Sequence, residues 1–249
     1  MAESSLSSRL RQLIDKRDQA AFLFDFDGTL VELVPDPDKV EVPPALIAAL
    51  RAIAGQKDAG FAMITGRALA RLDAFTDGVT TAAIGSHGAE FRPGPAMASA
   101  AIAEPMPAAL REALGAIGAK HSCIVEDKAY TVSLHLPMVN ARHDLRPELE
   151  AAAGADAKKY IFRKIGRTHE ILQKAVTKGS GIEHLMKQPP FAGRAPVYFG
   201  DDTHTDESLG AVTAMGGVLC PVGTPDSEDG PSLRIDEARH VMALLAGIG

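Results

Sequence analysis

Residues 21–31 read AFLFDFDGTLV, an apolar run that ends in two aspartates, Asp25 and Asp27, followed by Gly28-Thr29. Carboxylates this close repel, which forces one of them to hold a proton or the pair to share a cation. A second acidic pair, Asp201-Asp202, ends another apolar run, APVYFGDD. Neither cluster contains Cys or His, and an all-oxygen donor set favours Mg²⁺ over Zn²⁺. A third run, GFAMITGR, ends in Thr65-Gly66-Arg67. Gly28-Thr29 and Gly66 can aim backbone N–H groups at an anion from a turn or a helix start. Acidic groups around a cation, beside donors for an anion, are suited to an anionic substrate.

The elements behind these clusters alternate. Residues 21–26 are apolar and aromatic without clean alternation, as in a strand buried on both faces of a parallel sheet. Helices are expected over 44–56 and 68–75, with the short apolar runs AMIT and TTAAIGSHGAEFR as the next strands. After a segment rich in Ala, Pro and Met at 93–107, the pattern changes to a helix (108–119), a strand pair (SCIVEDKAYTVSLHL), a helix (142–152) and another strand pair (KYIFRKIGRTHEILQ). The alternating pattern then resumes with TKGSG as a Gly-rich lead into a helix, APVYFGDD and GGVLCPVG as strands, and a last helix near 235–246. This predicts an α/β fold: a doubly wound, Rossmann-like parallel-sheet core (1–98 and 173–249) with an inserted α+β domain (99–172). Ligands of such sheets bind at the carboxyl ends of the strands, where all three polar clusters fall. Side chains two apart on a strand face the same way, so Asp25 and Asp27 are expected to share one site if strand geometry persists that far.

Composition narrows the partners. The 249 residues carry a formal net charge of -6, which argues against a nucleic-acid partner. No apolar run approaches the length of a membrane span, and the N-terminus lacks the apolar core of a signal peptide. It reads instead as a polar lead into an amphipathic helix through Leu6, Leu10, Leu13 and Ile14. The two cysteines, Cys123 and Cys220, lie far apart and fit reduced thiols, so a cytoplasmic location is expected.

DFDGTL, TGR, the KG of VTKGSG and GDD…TDE together resemble, in order, the four motifs of the haloacid dehalogenase phosphatases. IGSHGAEFR, VEDKAYTVSLHL and the later HEI extend the resemblance, over almost the whole chain, to the trehalose-6-phosphate phosphatases. The resemblance implies that the inserted domain is a cap. It implies Asp25 as nucleophile and Mg²⁺ ligand. Asp27 would be the general acid and then base, with its backbone carbonyl on the metal. Thr65, Gly66 and Lys178 would hold the phosphoryl group, and Asp201 would be a further metal ligand. Asp202 is a possible ligand or, like Asp206, a support for Asp201. Arg67, Glu126, Lys128 and Glu170 would bind the substrate, while His87, His135 and His204 are read as structural. The implied reaction is Mg²⁺-dependent hydrolysis of trehalose 6-phosphate, a small-molecule partner.

Several motifs depart from the family pattern. GDDTHTDE is one residue longer than usual, the cap histidine stands in HLP where the family often has Tyr-Arg after it, and ILQK follows Glu170 where the family usually continues into Arg-Pro. The alternatives that remain are another sugar phosphate (glucosyl- or mannosylglycerate phosphate, or sucrose phosphate) and a non-catalytic sugar-phosphate-binding module.

Overall fold

The computed structural model describes residues 12, 14–16, 18–34, 36–56, 58–203, 205–223 and 233–248. Leu6, Leu10 and Leu13 of the expected N-terminal helix, and His204, lie outside the described residues. In chain order the strands are β1 (Ala20–Phe24), β2 (Phe61–Ile64), β3 (Ala82–Gly85), β4 (Glu90–Arg92), β5 (Ala100–Ala101), β6 (Ile124–Asp127), β7 (Thr131–His135), β8 (Tyr160–Ile165), β9 (Thr168–Gln173), β10 (Ala195–Gly200) and β11 (Val218–Pro221). The helices are α1 (Pro44–Ala54), α2 (Leu69–Phe75), α3 (Ala108–Lys120), α4 (Arg146–Ala153), α5 (Lys178–Leu185), α6 (Gly210–Ala214) and α7 (Ile235–Ala246). The chain divides into two compact units, Met1–Ala100 with Lys178–Gly249, and Ala101–Thr177.

The first unit is built on a sheet of order β11-β10-β1-β2-β3-β4-β5. β11, β10, β1, β2 and β3 pair in parallel, and β4 is antiparallel to β3. The fold is therefore α/β with a parallel-sheet core, as the sequence pattern predicts. β1 runs through the middle and lies between two cores. Phe22 and Phe24 join Leu46 and Leu50 of α1 and Met242 of α7 on one face. Ala21 and Leu23 join Ile182, Leu185 and Val212 on the other. A strand covered on both faces has no solvent side, hence its unbroken apolar run. Phe24 stacks on Phe199 of β10 at 4.3 Å. Full burial of one such ring is worth about 1.5–3 kcal/mol. The register pairs Phe24 with both Phe199 and Met63, so β1, β10 and β2 end level with one another.

Three local details differ from the sequence reading. The run TTAAIGSHGAEFR is two antiparallel strands, β3 and β4, joined by a tight turn in which Ser86 and His87 adopt positive φ (47° and 56°). Residues 142–145 precede α4 rather than belonging to it, and Pro147 lies in the helix's first turn, where a missing N–H costs nothing. KGSG is not a lead but the first turn of α5. Its glycines are required by packing: a Cβ on Gly179 would lie 2.0 Å from the Ser208 carbonyl oxygen, and one on Gly181 2.5 Å from Ile84.

The second unit is a four-stranded antiparallel sheet of order β6-β7-β9-β8. Leu110 and Leu114 of α3, Leu149 of α4 and Leu145 just before α4 are buried with Val132, Leu134 and Ile171. The alternation leaves the opposite face to the polar residues that stand between these apolar ones. Register aligns Glu126 with Ser133, Ser133 with Glu170, and Glu170 with Arg163 across that face.

Candidate active site

The carboxyl ends of β1, β2 and β10 converge with the start of α5. Asp25, one residue past β1, is 4% exposed, and its backbone N–H donates to the Phe199 carbonyl at 2.8 Å. Lys178, also buried, donates from Nζ to Asp25 Oδ2 at 2.6 Å and to Asp202 Oδ2 at 2.7 Å. Asp25 Oδ1 accepts the Phe26 N–H at 2.7 Å. Tyr198 completes the group: its hydroxyl donates to Asp202 Oδ1 at 2.9 Å. Both oxygens of Asp202 are thus engaged, which makes it the residue that steers Lys178 toward Asp25. Tyr198 and Ser208, and the side chain of Thr29, make hydrogen bonds at this site, contacts that the sequence reading did not name. Thr29 Oγ1 accepts the Asp201 N–H at 3.2 Å, and Ser208 Oγ accepts the Gly179 N–H at 3.1 Å. For Tyr198 a signal existed, because a tyrosine in an apolar strand needs a partner for its hydroxyl, and Asp202 follows four residues later.

The electrostatics are those of a crowded acidic site with one cation. Burial, with the charges of Asp202 and Asp201, pushes Asp25 well above the usual carboxylate range despite Lys178. Asp201 is open to solvent on one side, yet desolvation of its carboxylate and the Asp202 charge push it up to about 6. Burial alone would lower Lys178, but Asp202 and Asp25 outweigh it and hold the ammonium charged. One oxygen from each of Asp25, Asp201 and Asp202 lies within 4.8 Å of the others. Three carboxylates against one ammonium leave excess negative charge, and an all-oxygen set of this kind fits a hard divalent cation. Gly28 sits against this cluster. Its φ is +73°, and a Cβ there would fall 2.3 Å from Asp201 Oδ2.

Asp27 does not join the cluster. β1 ends at Phe24, so strand alternation does not reach Asp27, and Phe26 between the two aspartates turns into the core. The Asp27 carboxylate is gripped instead by Arg67, whose Nε and Nη2 donate to its two oxygens at 2.7 Å each. Arg67 also donates to the Pro37 carbonyl at 3.0 Å, and its guanidinium lies 4.6 Å from the Phe75 ring centroid. Fork-to-fork pairing of this sort fixes geometry as well as charge. The residue expected as a substrate ligand is therefore engaged, in this structure, in orienting Asp27.

Thr65 is fully buried and is not a helix cap: α2 starts after Ala68, and Thr65 Oγ1 accepts the Arg67 N–H at 3.1 Å. Gly66 packs against His87, whose ring would lie 2.4 Å from a Cβ at that position. Asp206 caps the short turn Glu207–Leu209 by accepting the Ser208 N–H at 2.9 Å. In the second unit, Glu126 lies 3.5 Å from Lys128 and 3.4 Å from His135. Ser133 donates to Glu170 at 3.2 Å. Glu126, Lys128 and Glu170 thus share one polar sheet face, and the close approach of His135, with the Lys128 charge, holds Glu126 down to about 2.

The sequence model of the trehalose-phosphatase family matches residues 23–214, a span that includes every residue named above as a site candidate. The chain belongs to the trehalose-phosphatase family. Trehalose-phosphatases are phosphoric monoester hydrolases, and this chain is an enzyme of that class. Over 234 residues it is 30% identical to a probable trehalose-phosphate phosphatase of Sinorhizobium fredii, covering 92% of this chain and 88% of that protein. Over 210 residues it is 30% identical to the trehalose-6-phosphate phosphatase of Escherichia coli, covering 82% and 77%. The C-terminal domain of a C. albicans trehalose-6-phosphate phosphatase shares the fold, with a TM-score of 0.75 over 97% of each chain at 17% identity. Among the described residues, no helix is long and apolar enough to cross a membrane.

Proposed function

We propose that this trehalose-phosphatase hydrolyses trehalose 6-phosphate to trehalose and phosphate with Mg²⁺, through a phosphoryl group carried on Asp25. The observation that supports this most is the buried Asp25–Lys178–Asp202 chain, with Asp201 beside it at the same sheet edge. Asp25 and Asp201, with the backbone carbonyl of Asp27, would hold the ion. When bound, Mg²⁺ supplies positive charge that screens the anionic ester from the carboxylates and polarises a phosphoryl oxygen.

The chain's own groups do the rest. Thr65 Oγ1–H and the Gly66 N–H hold phosphoryl oxygens, and Lys178 adds a second positive charge where negative charge builds up in the transition state. The Asp25 carboxylate attacks phosphorus, and the bond from phosphorus to the sugar oxygen breaks. The departing alkoxide is a poor leaving group, and Asp27 gives it a proton. Asp27 must exchange part of its grip on Arg67 for the sugar oxygen to do so. The same carboxylate then takes a proton from water, which attacks phosphorus and frees Asp25. In this reading the second unit is the cap domain, and Glu126, Lys128 and Glu170 are its ligands for sugar hydroxyls.

The test is phosphate release from a panel comprising trehalose 6-phosphate, sucrose 6-phosphate, glucosylglycerate phosphate, mannosylglycerate phosphate and glucose 6-phosphate. The highest kcat/KM is expected for trehalose 6-phosphate, and a higher value for another member reassigns the substrate. Asp25→Asn is expected to abolish turnover while leaving the protein folded. Undiminished phosphate release from that variant would sink the mechanism, and no turnover of any member by the wild type would favour a binding module.

A further inference from the structure

The helical side of the second unit holds a cluster that the reaction does not use. His121 caps the end of α3, and its Nε2 lies 2.8 Å from Glu148 Oε1 in the first turn of α4. The His143 ring centroid is 4.8 Å from that of His121. One ligating atom from each of His121, His143 and Glu148 lies within 4.8 Å of the others. Ligand atoms about 2.0–2.1 Å from a tetrahedral ion stand about 3.4 Å apart, so side-chain rotations that draw the three together by up to about 1.4 Å close the site.

Two of the three groups are already paired with each other, and the third, His143, sits on a held backbone with an exposed ring. The His143 carbonyl accepts from Lys164 Nζ at 3.0 Å and lies 3.2 Å from His169 Nε2, so the backbone is held while the exposed imidazole can turn. Leu145 and Leu149, at 0% and 1% exposure, peg the start of α4 on either side of Glu148. Lys120 takes Glu148 Oε2 at 2.8 Å, which aims Oε1 toward the two histidines. An open hollow of about 530 Å³, lined by Met138, Val139, Asn140, Ala141, Arg142 and His143, gives access from solvent.

We propose that His121, His143 and Glu148 bind one divalent transition-metal ion of the zinc class, which ties α3 to α4 across the second unit. Two imidazoles and one carboxylate are borderline donors that prefer Zn²⁺, Ni²⁺ or Cu²⁺, whereas Mg²⁺ prefers the all-oxygen cluster of the first unit. Three protein ligands leave a coordination position open to water or a small anion. The cluster shares no residue with Asp25, Asp201 and Asp202.

The test uses the full chain with saturating Mg²⁺ and Cu²⁺ as the spectroscopic probe. The acidic cluster offers only oxygen, so nitrogen splitting in the Cu²⁺ electron paramagnetic resonance spectrum marks imidazole ligation, and its change on replacing His143 assigns it to this cluster among the eight histidines. One equivalent with a two-nitrogen pattern is expected. His143→Ala and His143→Asn should each lose a nitrogen and weaken Zn²⁺ binding, measured by calorimetry, by about tenfold or more. Zn²⁺ should raise the melting temperature of the wild type and not of these variants. An oxygen-only spectrum, or a nitrogen signal and Zn²⁺ affinity unchanged in both variants, overturns the proposal.

Discussion

Replacing Lys178 with Met removes one charge and keeps all but the last atom of the side chain's length. Its ammonium lies 2.6 Å from Asp25 and 2.7 Å from Asp202, with 5% of the side chain exposed. At an effective dielectric of about 20, one such pair at about 4 Å is worth about 4 kcal/mol, and the two together offset the cost of burying the ammonium. Without it, Asp25 and Asp202 face each other with no cation, and breaking a buried pair costs about 3–5 kcal/mol. The loss depends on pH. Asp25 is already pushed upward by burial and by its neighbours, and Lys178 is the one group opposing them. In the variant the folded state keeps a proton on Asp25 that the unfolded chain releases near its ordinary value of 3.8. Stability therefore falls as pH rises above about 4 through the raised folded value, and the deficit is larger at about pH 8 than at about pH 5. Mg²⁺ should restore part of it, because the ion supplies the missing charge. The chain has no tryptophan, so urea unfolding is best followed by far-ultraviolet circular dichroism. Activity should fall by about 10²–10³. A variant as stable as the wild type at both pH values, or one that loses more at the lower pH, refutes the electrostatic account.

Arg67→Ala should lower kcat by about 10–100-fold through loss of Asp27 orientation while leaving the inhibition constant for inorganic phosphate unchanged. A weakened phosphate constant with intact kcat would make Arg67 a substrate ligand instead. Gly28→Ala should cost about 1–2 kcal/mol for the left-handed backbone and, by displacing Asp201, weaken Mg²⁺ activation by about tenfold, read from the Mg²⁺ dependence of the rate. Glu126, held at about 2 by His135 and Lys128 against an ordinary 4.5, contributes stability that is complete above about pH 4.5 and disappears as pH falls through about 2. The stability difference between wild type and Glu126→Gln, measured by urea unfolding, should accordingly shrink on acidification. A difference that grows would show the pairing to be unimportant.

What the sequence determined by itself is the part governed by local rules. The apolar run of β1 predicts burial on both faces, the alternation of strands and helices predicts the parallel core, and strand ends predict where Asp25, Thr65 and Asp201 gather. Each follows from periodicity and chain direction, which act over a few residues. Tertiary structure decided what depends on partners distant in sequence. It turned Asp27 out of the Asp25 cluster and onto Arg67, because β1 stops at Phe24 and the core takes Phe26. It set Asp202 between Lys178 and Tyr198, which makes it a support for the lysine. It put KGSG inside α5, because Ser208 and Ile84 leave room only for hydrogen at Gly179 and Gly181. A carboxylate's role depends on which charge reaches it in three dimensions, and that meeting is set by packing rather than by the residues beside it in the chain.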